Sequence, residues 1–185
     1  MTALVDGPDG GAAKSSSKKL NAPKNPWSRL RDAGQGDRLS AILCNYGAFS
    51  GEVSDLAEAT YGGPASILTR EEMAFYFGSY LGSEEAASDP YAVPMLMADL
   101  GGLPPMFFAI PEVDVLREQS ELMAGRAMAC GVDVAATLYP GTTHSFLEAM
   151  SIAAVARRAI AEPSEWLKKL LFPGMPNDVR SPRAA

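Results

Sequence analysis

The chain has 185 residues, of which 47% are apolar and 21% are charged, and its formal net charge at pH 7 is -6. This length and apolar content are typical of one globular domain with a hydrophobic core. The negative charge argues against a nucleic-acid partner, because binding a phosphate backbone needs a clustered positive field. The sequence contains neither a long uninterrupted apolar run nor a charged and then apolar leader, so we expect a protein that neither spans a membrane nor is secreted.

The two cysteines also indicate a protein that is not secreted. Cys44 and Cys130 have no CxxC spacing, and both lie in apolar stretches. This pattern predicts reduced, buried thiols in a cytoplasmic protein rather than a disulfide or a metal site. With a single histidine and no cysteine cluster, we expect no structural metal ion.

The two ends of the chain differ in composition from its centre. Residues 1–28 are rich in glycine, serine, lysine and proline and show no apolar period. Such a segment buries too little apolar surface to offset its conformational entropy, so we predict a disordered or unrelated amino-terminal tail. We expect the folded domain to span residues 29–172. Residues 173–185, which contain Pro176 and Pro182, are predicted to form a loose tail.

The first elements of the domain are a strand and a capped helix. Residues 39–44 form an apolar run that ends at a Gly47-containing loop, which predicts a buried strand. Thr69 and Glu72 have the spacing of a capping box, which predicts a helix that begins between them. The apolar side chains of this helix favour a core-facing side, with the lining of a pocket as the alternative. They are Met73, Phe75, Tyr76, Phe77 and Tyr80.

Two more strands and two more helices follow in alternation. Residues 106–110 and 132–139 have the apolar patterns of strands, and residues 116–128 have helical periodicity between them. Residues 152–171 predict a terminal helix, interrupted near Pro163. This repeated order predicts an α/β fold with parallel strands and right-handed crossover helices. In such a sheet the functional loops gather at the carboxyl ends of the strands.

Two candidate catalytic residues follow neighbouring strands of this predicted sheet. Asp114 comes just after the second strand and His144, the only histidine, just after the third. Adjacent strands lie about 4.8 Å apart, so their loops can bring a carboxylate and an imidazole into contact. A carboxylate in this place fixes the tautomer of the histidine, which can then accept a proton from a nucleophile. Asp114 suits this position better than Glu112, because the shorter side chain matches the reach from the strand end.

Each residue also has a simpler interpretation. An aspartate just before a helix is typical of an N-cap, and a single loop histidine is often only a polar surface residue. Their joint placement after two successive strands favours the catalytic interpretation, and both alternatives stay open at this point.

The sequence around these residues resembles a known family. From about Arg29 to Leu171 the chain is similar to the carboxyl-terminal part of α/β-hydrolase-fold esterases of the hormone-sensitive-lipase-like group. The matching stretches are Asn45-Tyr46-Gly47-Ala48-Phe49, Asp89-Pro90, Leu103-Pro104-Pro105, Asp114-Val115-Leu116-Arg117, Ala129-Cys130-Gly131-Val132 and Tyr139-Pro140-Gly141 leading to His144-Ser145-Phe146. The resemblance implies an incomplete α/β-hydrolase fold made of its last three strands, and hydrolysis of small-molecule carboxylic esters without a metal or organic cofactor. It also implies that Asp114 is the triad acid and His144 the general base.

The sequence departs from this family in two motifs. The 185 residues contain neither the HGGG-like loop that supplies oxyanion donors nor the GxSxG turn that presents the serine. Counting back along the expected helix places the nucleophile near Ser17, where Lys18 and Lys19 replace the small residues that the turn requires. We therefore expect weak or no esterase activity from this chain alone.

Three hypotheses remain open on the sequence. The chain is a truncated or mispredicted esterase, a non-catalytic interaction module that kept half of the fold, or one half of a split enzyme. An uncovered first strand would leave an apolar sheet edge, so we expect a homodimer, aggregation or a complementing chain.

Overall fold

The computed structural model describes residues 26–174. Within this range the chain forms three strands and five α-helices, joined by loops with short 3₁₀ turns. In chain order they are α1 (Pro26–Asp32), β1 (Ile42–Asn45), α2 (Asp55–Tyr61), α3 (Arg70–Leu81), β2 (Met106–Val113), α4 (Arg117–Ala129), β3 (Val134–Thr143) and α5 (Ala154–Leu171). No helix in residues 26–174 is both long enough and apolar enough to cross a membrane.

The three strands form one parallel sheet in the order β1-β2-β3. The α/β class and the parallel sheet predicted from the sequence are therefore confirmed. The strand bounds differ in detail, because β1 begins three residues later than the apolar run and β2 extends three residues further. The third strand also begins later and continues to Thr143, so it carries the chain directly to His144.

Helices cover both faces of the sheet. Side chains of β2 alternate between two core clusters, with Met106, Phe108 and Ile110 on one face and Phe107 and Ala109 on the other, as the period of a strand requires. The first face packs against α1 and α4, and the second packs against α5. Because β2 is buried on both faces, it reads as an almost continuous apolar run.

The folded region begins slightly earlier than the composition indicates. The predicted tail covers residues 1–28, whereas Trp27 and Ser28 belong to α1 and are fully buried. Trp27 contributes a large side chain to the core cluster of β1 and β2, so burial offsets the polar character of the sequence around it. The tail predictions for residues 1–25 and 175–185 lie outside the described residues.

The terminal helix differs from its prediction in two ways. It begins at Ala154, and Ile152, which follows the preceding 3₁₀ turn as its C-cap, lies outside the helix and is 84% exposed. It is also continuous through Pro163, where the sequence predicts an interruption. A proline inside a helix costs about 3 kcal/mol, but the Pro163 side chain is buried, and this packing contributes in the opposite direction.

Candidate active site

The structure brings Asp114 and His144 into direct contact at the carboxyl edge of the sheet. Oδ2 of Asp114 lies 2.8 Å from Nδ1 of His144. The Asp114 side chain is completely buried, and the His144 side chain is 20% exposed. The pair therefore has one end sealed in the protein and the other facing outward. With Nδ1 held by the carboxylate, Nε2 is the ring nitrogen left for proton transfer.

Asp114 is held from its other side by the chain that leads into α4. Oδ1 accepts a hydrogen bond of 2.9 Å from the backbone N–H of Leu116. Leu116 occupies the N-cap position of α4 and Asp114 caps the turn just before it, so capping alone does not account for the contact of Asp114 with His144. The carboxylate bridges a tight turn and an imidazole, with one oxygen for each. This arrangement fixes its orientation.

A bulge in β3 precedes His144. Pro111 of β2 pairs with Tyr139 of β3. The next pair joins Val113 to Thr143, so one residue on β2 faces three residues on β3. Such a bulge inserts extra residues into one strand and changes which side chains face each other.

This bulge decides which residue faces Asp114. Continuing the regular register from the last pair before the bulge would set Asp114 opposite Thr142. Continuing the register observed after it sets Asp114 opposite His144. The two extra residues on β3 therefore align the imidazole with the carboxylate.

A third residue at this edge of the sheet, Tyr46, contacts the imidazole. It follows β1 directly, and its ring meets the His144 ring edge-on at 4.9 Å between centroids. Its backbone φ is +39°, a conformation that is uncommon for a residue other than glycine. Burial raises the pKa of the Tyr46 phenol. Sequence reasoning assigned no role to Tyr46, although the strand-end rule that selected Asp114 and His144 applies to it equally.

His144 opens onto an uncharged cavity. A cavity of about 400 Å³ is lined by His144 and Tyr46, with Leu68, Met73 and Tyr76 among the other side chains. Three of its lining residues, Ala48, Met73 and Tyr76, also line an apolar cavity of about 260 Å³. Neither lining contains Asp, Glu, Lys or Arg. These surroundings suit a neutral organic group rather than an ion.

The aromatic side chains of α3 form part of this lining. The sequence favoured a core role for them, but Phe75 is 68% and Tyr76 is 57% exposed. Of the five α3 side chains that the sequence singled out, only Met73, which is not aromatic, is buried. The pocket alternative fits better, because Tyr76, Phe77 and Tyr80 line the smaller cavity. A larger cavity of about 590 Å³ lies elsewhere, against Gln119 and Leu122, and its lining includes neither Asp114 nor His144.

Metal ligands do not converge at this site. Within residues 26–174 no group of three or more His, Cys, Asp or Glu side chains has the arrangement of a metal site. A buried carboxylate in contact with an imidazole is an arrangement suited to acid–base chemistry.

Comparison with known proteins identifies the family. A family model described as alpha/beta hydrolase fold matches residues 27–148, more than half of the chain. The chain belongs to the α/β-hydrolase family. This confirms the resemblance to esterases of this fold that the motifs indicated.

Individual relatives of this α/β-hydrolase chain are esterases. An acetyl esterase of Salmonella choleraesuis is 30% identical over 124 residues, which are 67% of this chain and 38% of that protein. An esterase of Pyrobaculum calidifontis superposes with a TM-score of 0.72 at 30% identity, covering 82% of this chain and 49% of that structure. A thermophilic carboxylesterase cloned from a metagenomic library superposes with a TM-score of 0.72 at 27% identity, covering 80% and 50%. The chain thus spans about half the length of the solved relatives, and less of the curated ones.

Proposed function

We propose that this chain carries the acid and base of a carboxylic ester hydrolase site, with Asp114 as the acid and His144 as the general base. The observation that carries the proposal is the contact of 2.8 Å between them at the edge where the three strands end. In this mechanism Nε2 of His144 accepts the proton of an attacking hydroxyl and later gives it to the leaving alcohol. Asp114 keeps the proton on Nδ1 and stabilises the imidazolium.

The substrate in this proposal is a small neutral ester. The cavity of about 400 Å³ lined by His144 and the apolar cavity that shares part of its lining contain no Asp, Glu, Lys or Arg, so an uncharged acyl or alcohol group fits them. No cofactor enters the reaction, because proton transfer and nucleophilic attack account for ester hydrolysis.

We further propose that the 185 residues alone hydrolyse esters weakly or not at all. They contain no GxSxG turn and no HGGG loop, so the serine and the oxyanion donors have to come from another segment or another chain. Loss of one oxyanion donor alone lowers the rate by about 10²- to 10³-fold. We place the protein in the cytoplasm, on the argument that its two cysteines are unpaired.

The alternative is a non-catalytic interaction module. Two observations support this alternative. The GxSxG turn and the HGGG loop are missing from the 185 residues, and β1 pairs only with β2 among residues 26–174. Its other edge offers unpaired backbone groups of the kind that bind a further strand. In that case the Asp114–His144 pair serves structure alone.

A chimera separates these proposals. The segment that precedes the aligned region of the Salmonella acetyl esterase is joined ahead of Trp27, and hydrolysis of p-nitrophenyl acetate is measured beside the chain alone. We expect activity from the chimera and a loss of about 10⁴-fold in Asp114→Asn and His144→Ala. Glu165→Gln, an exposed change on α5, is the matched control and should keep the rate.

Three outcomes are informative. A folded chimera whose activity is unaffected by both variants contradicts the assignment of Asp114 and His144. A folded chimera without activity favours the interaction module. Hydrolysis by the unmodified chain that His144→Ala abolishes contradicts the absence of a nucleophile. Reading the nucleotide sequence upstream of the Arg29 codon in all frames tests truncation directly, since an encoded GxSxG would supply the missing serine.

A further inference from the structure

Glu112 makes a contact that neither the sequence patterns nor the triad mechanism explains. It lies near the end of β2, two residues before Asp114. Its Oε2 accepts a hydrogen bond of 2.7 Å from the backbone N–H of Gly141. A bond from an N–H to a carboxylate is charge-assisted and is about twice as strong as a neutral one.

This contact is made to the β3 bulge. Glu112 is the single β2 residue that faces the three bulge residues, 140–142. Gly141 is the middle residue of the bulge and has a φ of +69°, which favours glycine. Pro140 has no backbone N–H, but Gly141 and Thr142 are displaced from the regular ladder, so their N–H groups need acceptors outside it. The Glu112 carboxylate is the acceptor for one of them.

A second bond fixes the other side of the bulge. The Thr142 hydroxyl donates to the carbonyl oxygen of Tyr139 at 2.7 Å. The Thr142 side chain thus closes the bulge within β3, whereas Glu112 ties it to β2. Of these two bonds, the one from Glu112 sets the position of the bulge relative to the strand that carries Asp114.

We propose that Glu112 is a positioning residue for His144. By holding Gly141, it keeps two extra residues on β3 and so keeps the imidazole opposite Asp114 rather than two residues further along. Without that bond the bulge can relax, and the imidazole loses its alignment with the carboxylate. Glu112 itself contacts no reacting atom. The importance of this role for catalysis rests on the proposed function, but the geometric claim does not.

The test uses the single imidazole of the chain. With ¹⁵N-labelled histidine, the two ring nitrogens of His144 report which one carries the proton, and no other histidine overlaps them. The intact contact predicts a dominant Nδ1–H tautomer, because Asp114 accepts that proton. Glu112→Ala should lose this preference and approach the tautomer mixture of free imidazole. Glu112→Gln keeps an acceptor oxygen for Gly141 and should restore the wild-type signals.

Controls keep the result specific to position. Glu165→Ala, an exposed glutamate change on α5, should leave the ring signals unchanged. Circular dichroism confirms that each variant is folded. Glu112→Met, which fills the volume without an acceptor, replaces the alanine variant if that one does not fold. If neither variant folds, the ring-nitrogen signals are measured in Glu112→Asp. Its shorter side chain withdraws the carboxylate from Gly141, so this variant should lose part of the preference for the Nδ1–H tautomer.

The proposal is overturned if a folded variant that lacks an acceptor for the Gly141 N–H shows the wild-type ring-nitrogen signals. It is also overturned if Glu112→Gln gives the same signals as Glu112→Ala. Ester hydrolysis is not measured in this experiment. Failure of Glu112 as a positioning residue is therefore distinguishable from failure of the hydrolase proposal.

Discussion

Replacing Asp114 should weaken the fold by an amount that its contacts define. The completely buried carboxylate accepts one bond from the Leu116 N–H and one from the His144 imidazole. A hydrogen bond to a charged group contributes about 1.5–3 kcal/mol. Asp114→Ala loses both bonds and leaves the Leu116 N–H without an acceptor. Because the carboxylate also regains hydration on unfolding, we expect a net loss of about 3 kcal/mol.

Asp114→Asn should cost less and still disturb the imidazole. Its amide oxygen can accept the Leu116 N–H, so the turn into α4 is kept. Its amide group then faces Nδ1 as a donor, which favours the opposite tautomer of His144. We expect a loss of about 1 kcal/mol in the free energy of unfolding.

Urea unfolding of a double-mutant cycle measures the contact itself. The cycle comprises wild type, Asp114→Ala, His144→Ala and the double variant, because alanine at either position removes the contact without replacing it. We expect a coupling energy of about 1–2 kcal/mol, within the range for residues in direct contact. The reasoning is refuted if Asp114→Ala unfolds at the wild-type midpoint, or if the cycle shows no coupling.

Four further results are expected. Burial raises the pKa of the Cys44 thiol to about 12, so a thiol reagent at pH 8 should modify half-buried Cys130 first. Because the pKa of the Cys44 thiol is higher in the folded chain than in the unfolded chain, its contribution to stability should be lost as pH rises from about 9 towards 12. A Cys44→Ala variant should lack this pH dependence. Thr69→Ala should lower the free energy of unfolding by about 1 kcal/mol, because it removes the cap of α3. An unchanged urea midpoint would contradict this. Tyr46→Phe should keep the His144 ring signals, and Tyr46→Ala should shift them, since the ring makes the contact.

Features that depend on local order could be predicted from the sequence. The capping box at Thr69 and Glu72 is present as expected, because it involves residues three positions apart. The alternation of strands and helices was sufficient for the parallel sheet, since a crossover of this length returns the chain in the same direction. The positions of Asp114 and His144 after two successive strands follow from the same order.

Features that depend on contacts between residues far apart in the chain could not be predicted from the sequence. Trp27 is buried because it packs in the core cluster of β1 and β2, and α5 continues through Pro163, whose side chain is buried. The exposure of the aromatic side chains of α3 depends on which other elements pack against that helix. The periodicity of the sequence does not contain this information.

The sequence by itself determined which family this chain resembles, which strands it has, and that a carboxylate and an imidazole follow two neighbouring ones. Only the tertiary structure decided their register. The bulge opposite Glu112 shifts β3 by two residues against β2, and this shift sets His144 rather than Thr142 opposite Asp114. The bulge carries a hydrogen bond between two residues 29 positions apart in the chain, Glu112 and Gly141, and no local pattern encodes a contact of this kind.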